Sequence, residues 1–418
     1  MRFALVSLGC KVNRVESDSL AAALLEQGHG RCGLPDADCV IVNTCTVTGE
    51  ADKKARKAVR RSLRDNRHAP VYVTGCAAAL DPGTYRSLDP RVAVEPDKGR
   101  ALALICERFG PAPGERGPTP QASGASEASG QPVPPARGRA LRAGEGFPTR
   151  IGVKVQDGCD GACSYCIVPA ARGPALSRPF DEVLEEVRAL AQAGVKEIVL
   201  TGINLGSYRF TEGGLAEALE GLLSETETTR FRLSSIEPED LDEALVGLVA
   251  TSQGRVCRHL HLPLQSGSSK VLAEMARPYD AQGFLARAEA LYAQIPGLAL
   301  TTDAIVGFPG ETDSDFDETL GLVGRLRFSK VHVFPYSQRK GTPAAARGDQ
   351  VSPEAKAARA KQLTALAERL RRADYESRRG REELVVAEGR GRGMTESYYR
   401  IGIPRDIAPG TLFPFAIP

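Results

Sequence analysis

The sequence predicts an α/β protein: an N-terminal parallel-sheet domain, a partial (β/α)6 barrel and a small C-terminal β-barrel. Three observations carry this. Over residues 1–109, apolar β-branched runs alternate with helix-forming stretches, the pattern of a parallel sheet with crossover helices. The alternation resumes at Ile151 and runs through six strand-and-helix repeats, an open version of the eight-fold barrel. From Glu383 to Pro418, short alternating segments (LVVAEG, SYYRIGIP, TLFPFAIP) are punctuated by Gly and Pro, which suits short strands. The implied boundaries are 1–109, a linker at 110–148, 149–380 and 381–418.

In the first domain, FALVSLGC, CVIVNTC and VYVTGC each close a strand-like run on a cysteine. Cys10, Cys45 and Cys76 lie 35 and then 31 residues apart, the length of a βα unit. Ser17–Gln27 and Asp52–Arg64 read as the intervening helices. Taken alone, Cys76 reads as a small buried hydrophobe. Placed at the carboxyl ends of parallel strands, the three cysteines share the sheet edge where α/β domains bind ligands.

Gly110–Pro148 is rich in Pro, Gly, Ser and Ala; it buries too little apolar surface to offset ordering entropy and reads as a flexible linker. Beyond it, strands are expected at Ile151–Gln156, Glu197–Thr201, Phe231–Ser234, His259–Leu262, Leu300–Val306 and Lys330–Phe334. Phe180, Val183, Leu184, Val187, Leu190 and Ala191 form one helical stripe. Ser352–Arg379 reads as a long basic helix.

Composition bounds the function. Lys+Arg 54 against Asp+Glu 52 leaves a net charge of +2, so any nucleic-acid footprint is a local patch. No apolar run reaches the roughly 18 residues of a membrane span, and MRFALVSLGCKVN lacks the features of a signal peptide. The cytoplasm is the expected location, and ten cysteines there point to metal or redox chemistry rather than disulfides.

The sharpest motif is QDGCDGACSYC, which places Cys159, Cys163 and Cys166 within eight residues. Three thiolates can wrap one metal centre. Structural zinc takes four ligands, and no fourth Cys or His follows. A [4Fe–4S] cube also usually takes four, so three leave one iron open. The spacing, after the first strand of the second repeat set, resembles the radical S-adenosylmethionine (SAM) superfamily. There the open iron chelates SAM, and the cofactor carries the hard chemistry. The resemblance implies SAM-binding roles for Tyr165 and for residues at other strand ends: Thr201, Gly202 and Asn204 in LTGIN, Ser235 and Glu237 in SSIEP, Gln265 in HLPLQSG, and Gly307 in VGFPGE. Each has a plainer reading: Ser and Gln cap helices and Gly makes turns; His261, which HLPLQSG offers beside Gln265, sits next to apolar residues and reads first as a satisfied core histidine.

The stretches LGCKVN, VNTCTVT, ADKKARKAVRR, TGC, QDGCDGACSYCIVPAARGP, LTGINLGSY, RLSSIEP, HLHLPLQSGS, DAIVGFPGET and HVFPYSQRKGTPA together resemble the methylthiotransferase family of radical SAM enzymes. That resemblance covers nearly the whole chain except the linker. It implies a C-terminal RNA-binding TRAM domain and a second [4Fe–4S] cluster on Cys10, Cys45 and Cys76, beside the one on Cys159, Cys163 and Cys166. It also implies two SAM per turnover, an electron donor and a sulfur source, and a tRNA anticodon stem-loop as partner, with neither DNA nor membrane. The branch it most resembles modifies C2 of N6-threonylcarbamoyladenosine. The alternatives are the isopentenyladenosine branch, a ribosomal-protein aspartate, and, from another class, a non-catalytic metal-binding RNA module.

RNA contacts are expected from Lys53, Lys54, Arg56, Lys57, Arg60 and Arg61, with Arg64 and Arg67, although such a run also suits a solvated helix face. Arg378, Arg379, Arg381, Arg390 and Arg392 extend the possible footprint. Tyr398 and Tyr399 suit base stacking or core packing equally. Cys32, Cys39, Cys106 and Cys257 read as packing thiols. Ala77, Ala78 and Ala79 depart from the bulkier, more polar residues that the family carries after TGC.

Overall fold

The computed structural model describes residues 1–110 and 149–418; the expected linker, apart from Gly110, lies outside the described residues. These residues form two compact units. One holds residues 1–110 with Ile167–Pro174, and the other holds residues 149–166 with 175–418.

In the first unit the three cysteine-ended runs become the middle of a five-stranded parallel sheet. Its order is Gly30–Arg31, Arg2–Ser7, Cys39–Thr44, Val71–Gly75, Val92–Val94. Burial on both faces explains their near-continuous apolar character. Val40, Val42, Val71 and Val73 pack on one side with Ala55 and Val59; Phe3, Cys39, Ile41 and Tyr72 pack on the other with Leu20, Leu24 and Ile105. The helices start earlier than expected, at Lys11–Glu26 and Gly49–Asp65. The second is capped by the Thr48 side chain, which accepts from Ala51 N, and Glu50 and Asp52 sit in its first turn, favourable at a helix N-terminus. Cys39 is buried and Cys32 and Cys106 are partly buried in these cores.

The second unit carries two three-stranded parallel sheets. One is Arg230–Leu233, Glu197–Thr201, Arg150–Lys154; the other is His259–His261, Ala299–Val306, Lys330–Pro335. Isolated parallel bridges Phe231–Val256 and Ser235–His261 run between the two sets, so the six strands follow one another in chain order. Every expected strand of this unit is present, with ends displaced by at most two residues and Glu197–Thr201 coinciding at both. The long helix spans Pro353–Arg378, with Ser352 Oγ accepting from Ala355 N.

The C-terminal segments form a four-stranded antiparallel sheet in the order Arg400–Gly402, Arg392–Thr395, Glu382–Gly389, Leu412–Ala416. It belongs to the same compact unit as the six parallel strands, and a buried ion network ties the two. Glu197 binds Arg230 and Arg232. Their guanidiniums also donate to the carbonyls of Leu384, Met394, Thr395 and Glu396. Tyr398 lies against this network, with Arg232 4.9 Å and Arg150 5.6 Å from its ring centre and His259 tilted against it at 4.7 Å. Tyr399 is 4% exposed and donates its hydroxyl to Asp374 at 2.8 Å. Of the two uses the sequence allowed, Tyr399 therefore has core packing; its ring is not presented for base stacking. Arg378 is likewise buried, paired with Asp374 and bonded to the carbonyls of Gly297 and Leu298, so it is not a surface contact.

Candidate cofactor sites

In the first unit, each of the three cysteines follows a strand. Cys10 precedes the Lys11–Glu26 helix, Cys45 follows Cys39–Thr44, and Cys76 opens the short helix Cys76–Leu80. Two glycines make the approach. Gly9 has φ +97°, and a Cβ there would stand 2.3 Å from Cys45 Cβ and 2.6 Å from its Sγ; Gly75 has φ +93°, and a Cβ there would stand 2.4 Å from Asn43 Oδ1. Only glycine takes such a backbone without strain.

Asn13, from LGCKVN, clamps two of the loops. Its Nδ2 donates to Leu8 O at 3.0 Å and to Thr44 O at 2.7 Å. Asn43 Nδ2 in turn donates to Asn13 O and Ser17 Oγ, and Thr44 Oγ1 donates to Thr74 O. The third loop is therefore fastened to the second. Burial raises the Cys45 and Cys76 thiols above their usual range. At Cys45 the neighbouring Cys10 and Cys76 raise it further; at Cys76, Arg172 and Lys98 oppose the rise. Three mutually repelling thiolates become favourable together on a cationic centre, and the donor set fits an iron–sulfur cluster. Glu16, 3% exposed, orders the cations, with Lys98 at 3.2 Å and Arg172 at 2.9 Å. Arg172 comes from Ile167–Pro174, the segment directly after the second cysteine set, and it also donates to Asn13 Oδ1 at 2.5 Å. Ala77 and Ala78 are 3% and 0% exposed in the core with Val71 and Tyr85. Ala78 N donates to Thr44 Oγ1, so larger residues there would overpack.

In the second unit, Gly158 (φ +67°) turns the chain into Cys159. A Cβ on Gly161 would lie 3.2 Å from Cys159 Sγ and 3.9 Å from Cys163 Sγ. Burial raises the Cys159 thiol, and Cys163 raises it further. Arg277 Nη1 donates to Cys163 Sγ at 3.1 Å, and Arg277 also grips Glu237. Ser164 fixes the loop through N to Met275 O and Oγ to Glu274 O. Cys166 N donates to Cys163 O at 3.0 Å. Tyr165 packs against Val271, Met275, Phe308, Tyr336 and Ala344, which makes it a structural anchor of the triplet loop.

Gln156 draws the expected SAM loops together. Its Nε2 donates to Asp157 O and Gly158 O, and its Oε1 accepts from Ile203 N and Asn204 N. A Cβ on Gly202 would sit 2.8 Å from that oxygen. Thr201 is buried, its hydroxyl given to Val153 O. Asn204 Nδ2 donates to Asp240, while its buried Oδ1 has no partner among the described residues. It is an acceptor suited to an ammonium such as that of SAM. Ser235 is half-buried, bridges His261 and accepts from Leu205 N. Gln265 has φ +66°, donates its N–H to Asp303 O and accepts from Ile305 N. Gly307 (φ +72°) donates to Glu311 at 2.6 Å, and a Cβ there would meet Lys356 at 2.3 Å.

On the basic helix of the first unit, Lys53, Arg56, Lys57, Arg60, Arg61 and Arg64 line one shallow groove. Lys53, Lys54, Lys57, Arg60 and Arg61 are exposed and Arg56 is half-buried. Asp65 pairs with Arg61 and Arg64, which leaves the N-terminal part of the run facing solvent.

Residues 153–323 match the radical SAM superfamily and residues 2–94 match uncharacterized protein family UPF0004. The chain is 37% identical to the threonylcarbamoyladenosine tRNA methylthiotransferase MtaB of Bacillus subtilis, over 91% of this chain and 83% of the relative. The tRNA-2-methylthio-N(6)-dimethylallyladenosine synthase of Syntrophus aciditrophicus is 34% identical over 92% and 83%. Among solved structures, the radical SAM methyltransferase TsrM of Kitasatospora setae superposes with a TM-score of 0.54 at 15% identity, covering 82% of this chain and 73% of that one. The cobalamin-dependent SAM radical enzyme OxsB gives 0.51 at 12%, covering 88% and 56%. These two likenesses speak for the fold alone.

Proposed function

Since the chain belongs to the radical SAM methylthiotransferase family, we propose that it places a methylthio group on C2 of N6-threonylcarbamoyladenosine beside the anticodon of tRNA. The observation that supports this most is the pair of three-cysteine sets, each presented at strand ends and shaped by positive-φ glycines. Cys159, Cys163 and Cys166 would hold one [4Fe–4S] cluster, and Cys10, Cys45 and Cys76 the second. When bound, the clusters would supply the electron that cleaves SAM and an open iron to carry the sulfur that is methylated, with two SAM used per turnover. The C2–H of an adenine has no acidic proton for a base to remove, so a radical must take the hydrogen atom.

The protein's part is to bind, orient and exclude water. Gln156 holds the loop of Gly202 and Asn204 against the triplet loop, and Asn204 Oδ1 would accept from the SAM ammonium. Arg277 restrains Cys163 and Glu237 together. In the first unit, Asn13 and Asn43 fix the cysteine loops, and Arg172 and Lys98 supply positive charge beside Cys76. The six strands in chain order are read as the partial barrel, and the C-terminal sheet as a TRAM-like module. The target base is extruded from the anticodon loop toward the strand ends, as base-modifying enzymes require. An electron donor and a sulfur source are needed partners, and the cytoplasm is the proposed setting.

Nucleoside mass spectrometry of tRNA from cells with and without the protein tests this. The expected result is loss of the methylthio mark on threonylcarbamoyladenosine. Loss from the isopentenyl nucleoside instead would move the protein to the sister branch.

A further inference from the structure

In the second unit a polar row runs along one face of the six strands. At one end it is closed: Glu197, Arg230 and Arg232 are 0–1% exposed and paired, with Tyr398 against them. His259 Nε2 lies 3.2 Å from Thr301 Oγ1, and Thr301 Oγ1 lies 2.9 Å from His261 Nδ1. The row then opens. His261 Nε2 lies 3.4 Å from Asp303 Oδ2, with side chains 14% and 30% exposed. His332, half-buried and in register with Asp303, turns its ring edge to His261 at 5.9 Å. One ligand atom each of His261, Asp303 and His332 lies within 4.8 Å of the others. Lys330, two residues before His332 and in register with Thr301, adds a cation to the same face.

This cluster adjoins the strand ends of the proposed SAM site. Ser235 bridges His261, and Asp303 O accepts from Gln265 N. We infer that His261, Asp303, His332 and Lys330 form the subsite for the polar arm on N6 of the substrate adenosine, and so select threonylcarbamoyl over isopentenyl. The inference rests on the proposed substrate class. A threonylcarbamoyl arm carries ureido N–H groups that a carboxylate accepts, and a carboxylate and hydroxyl that imidazoles and an ammonium bind. An isopentenyl arm offers this polar cluster no hydrogen-bonding group in exchange and would press apolar surface against partly buried polar side chains. A site built to hydrogen-bond a substrate group rejects the analogue lacking it far more strongly than an apolar pocket rejects a misfit.

The test uses the cluster-loaded full chain and anticodon stem-loops carrying threonylcarbamoyladenosine, isopentenyladenosine or adenosine, at one salt concentration. Wild type is expected to bind the first RNA most tightly. His332→Ala, His332→Gln and Asp303→Asn, with iron content checked, are expected to reduce its Kd advantage over the adenosine RNA by about 10- to 100-fold each, the loss of one charge-assisted hydrogen bond. An undiminished advantage in all three variants overturns the subsite. So does a tightly held non-iron divalent metal, near one per chain by elemental analysis and lost with His332→Ala, which would make the cluster a cation site. A wild type that does not prefer threonylcarbamoyl over isopentenyl RNA overturns the substrate reading, and this inference with it.

Discussion

Gly75 holds its place by what it lacks. Its φ of +93° and the 2.4–2.5 Å that a Cβ would leave to Asn43 Oδ1 and Thr44 O exclude any side chain between the strand and Cys76. Gly75→Ala costs roughly 1–3 kcal/mol in backbone strain alone, with overpacking added. The expected outcome is a folded chain that loses about half of the roughly eight irons two clusters hold, read by iron and sulfide analysis; full iron content would show that the loop tolerates the shift. Cys76→Ala is expected to stop methylthio transfer while leaving reductive cleavage of SAM partly intact, as separate product assays would show.

Glu197 sets a second prediction at the same scale. Burial alone would raise its carboxyl, but Arg230, Arg232 and Arg150 outweigh it and hold the pKa down to about 2. A depressed carboxylate stabilises the fold above its unfolded pKa, and that stability drains away as pH falls from about 4.5 toward 2. The shift corresponds to about 3 kcal/mol. Glu197→Gln is therefore expected to flatten the acid limb of denaturant-measured stability between those pH values. Because it strands two buried guanidiniums, it should also lower stability at neutral pH by roughly 3–5 kcal/mol. An unchanged acid limb would remove Glu197 from that role.

Among the elements, the Gly49–Asp65 helix carries the same period in sequence and in structure. Ala55, Val59 and Ser62 face the sheet while Lys53, Lys57, Arg60 and Arg61 face solvent, the 3.6-residue period of an amphipathic helix. If the exposed face contacts phosphate, reversing charge at Lys53, Lys54 and Lys57 should weaken tRNA binding and lower the salt slope by about 0.7–0.9 per lost contact. An unchanged slope in a salt titration would leave the helix as a solvated face. Strands and helices of this kind were legible because period and composition are local. The site's fastenings were not. Asn13 reaches Thr44, 31 residues on, and Gln156 reaches Asn204, 48 residues on. Nothing near either residue marks the partner. The grouping of Ile167–Pro174 with the first unit was hidden for the same reason, since the segment follows Cys166 directly. Asn13 lay within LGCKVN, so its place in a quoted motif was the one signal available. Tyr398 and Tyr399 could not be resolved by pattern, because an amphipathic ring suits a stacked base and a buried cation equally.

At the scale of the larger unit, the C-terminal sheet is a structural part of the parallel-sheet fold as well as a candidate RNA module. Arg230 and Arg232 are buried beneath it, and four of its backbone carbonyls receive their N–H groups. A detachable RNA-binding appendage would leave the remaining sheets intact when removed. Here removal of residues 381–418 uncovers the pocket at Asp374 that Tyr399 fills and strips both guanidiniums of their four carbonyl acceptors, leaving them Glu197. Each charged hydrogen bond so lost is worth about 1.5–3 kcal/mol, and their sum approaches the whole stability of a domain. The truncated chain is therefore expected to show a lowered melting temperature and loss of SAM cleavage, not merely weaker tRNA binding. Retention of wild-type melting and SAM cleavage, with only RNA affinity reduced, would show that the network is dispensable and that the module serves RNA alone.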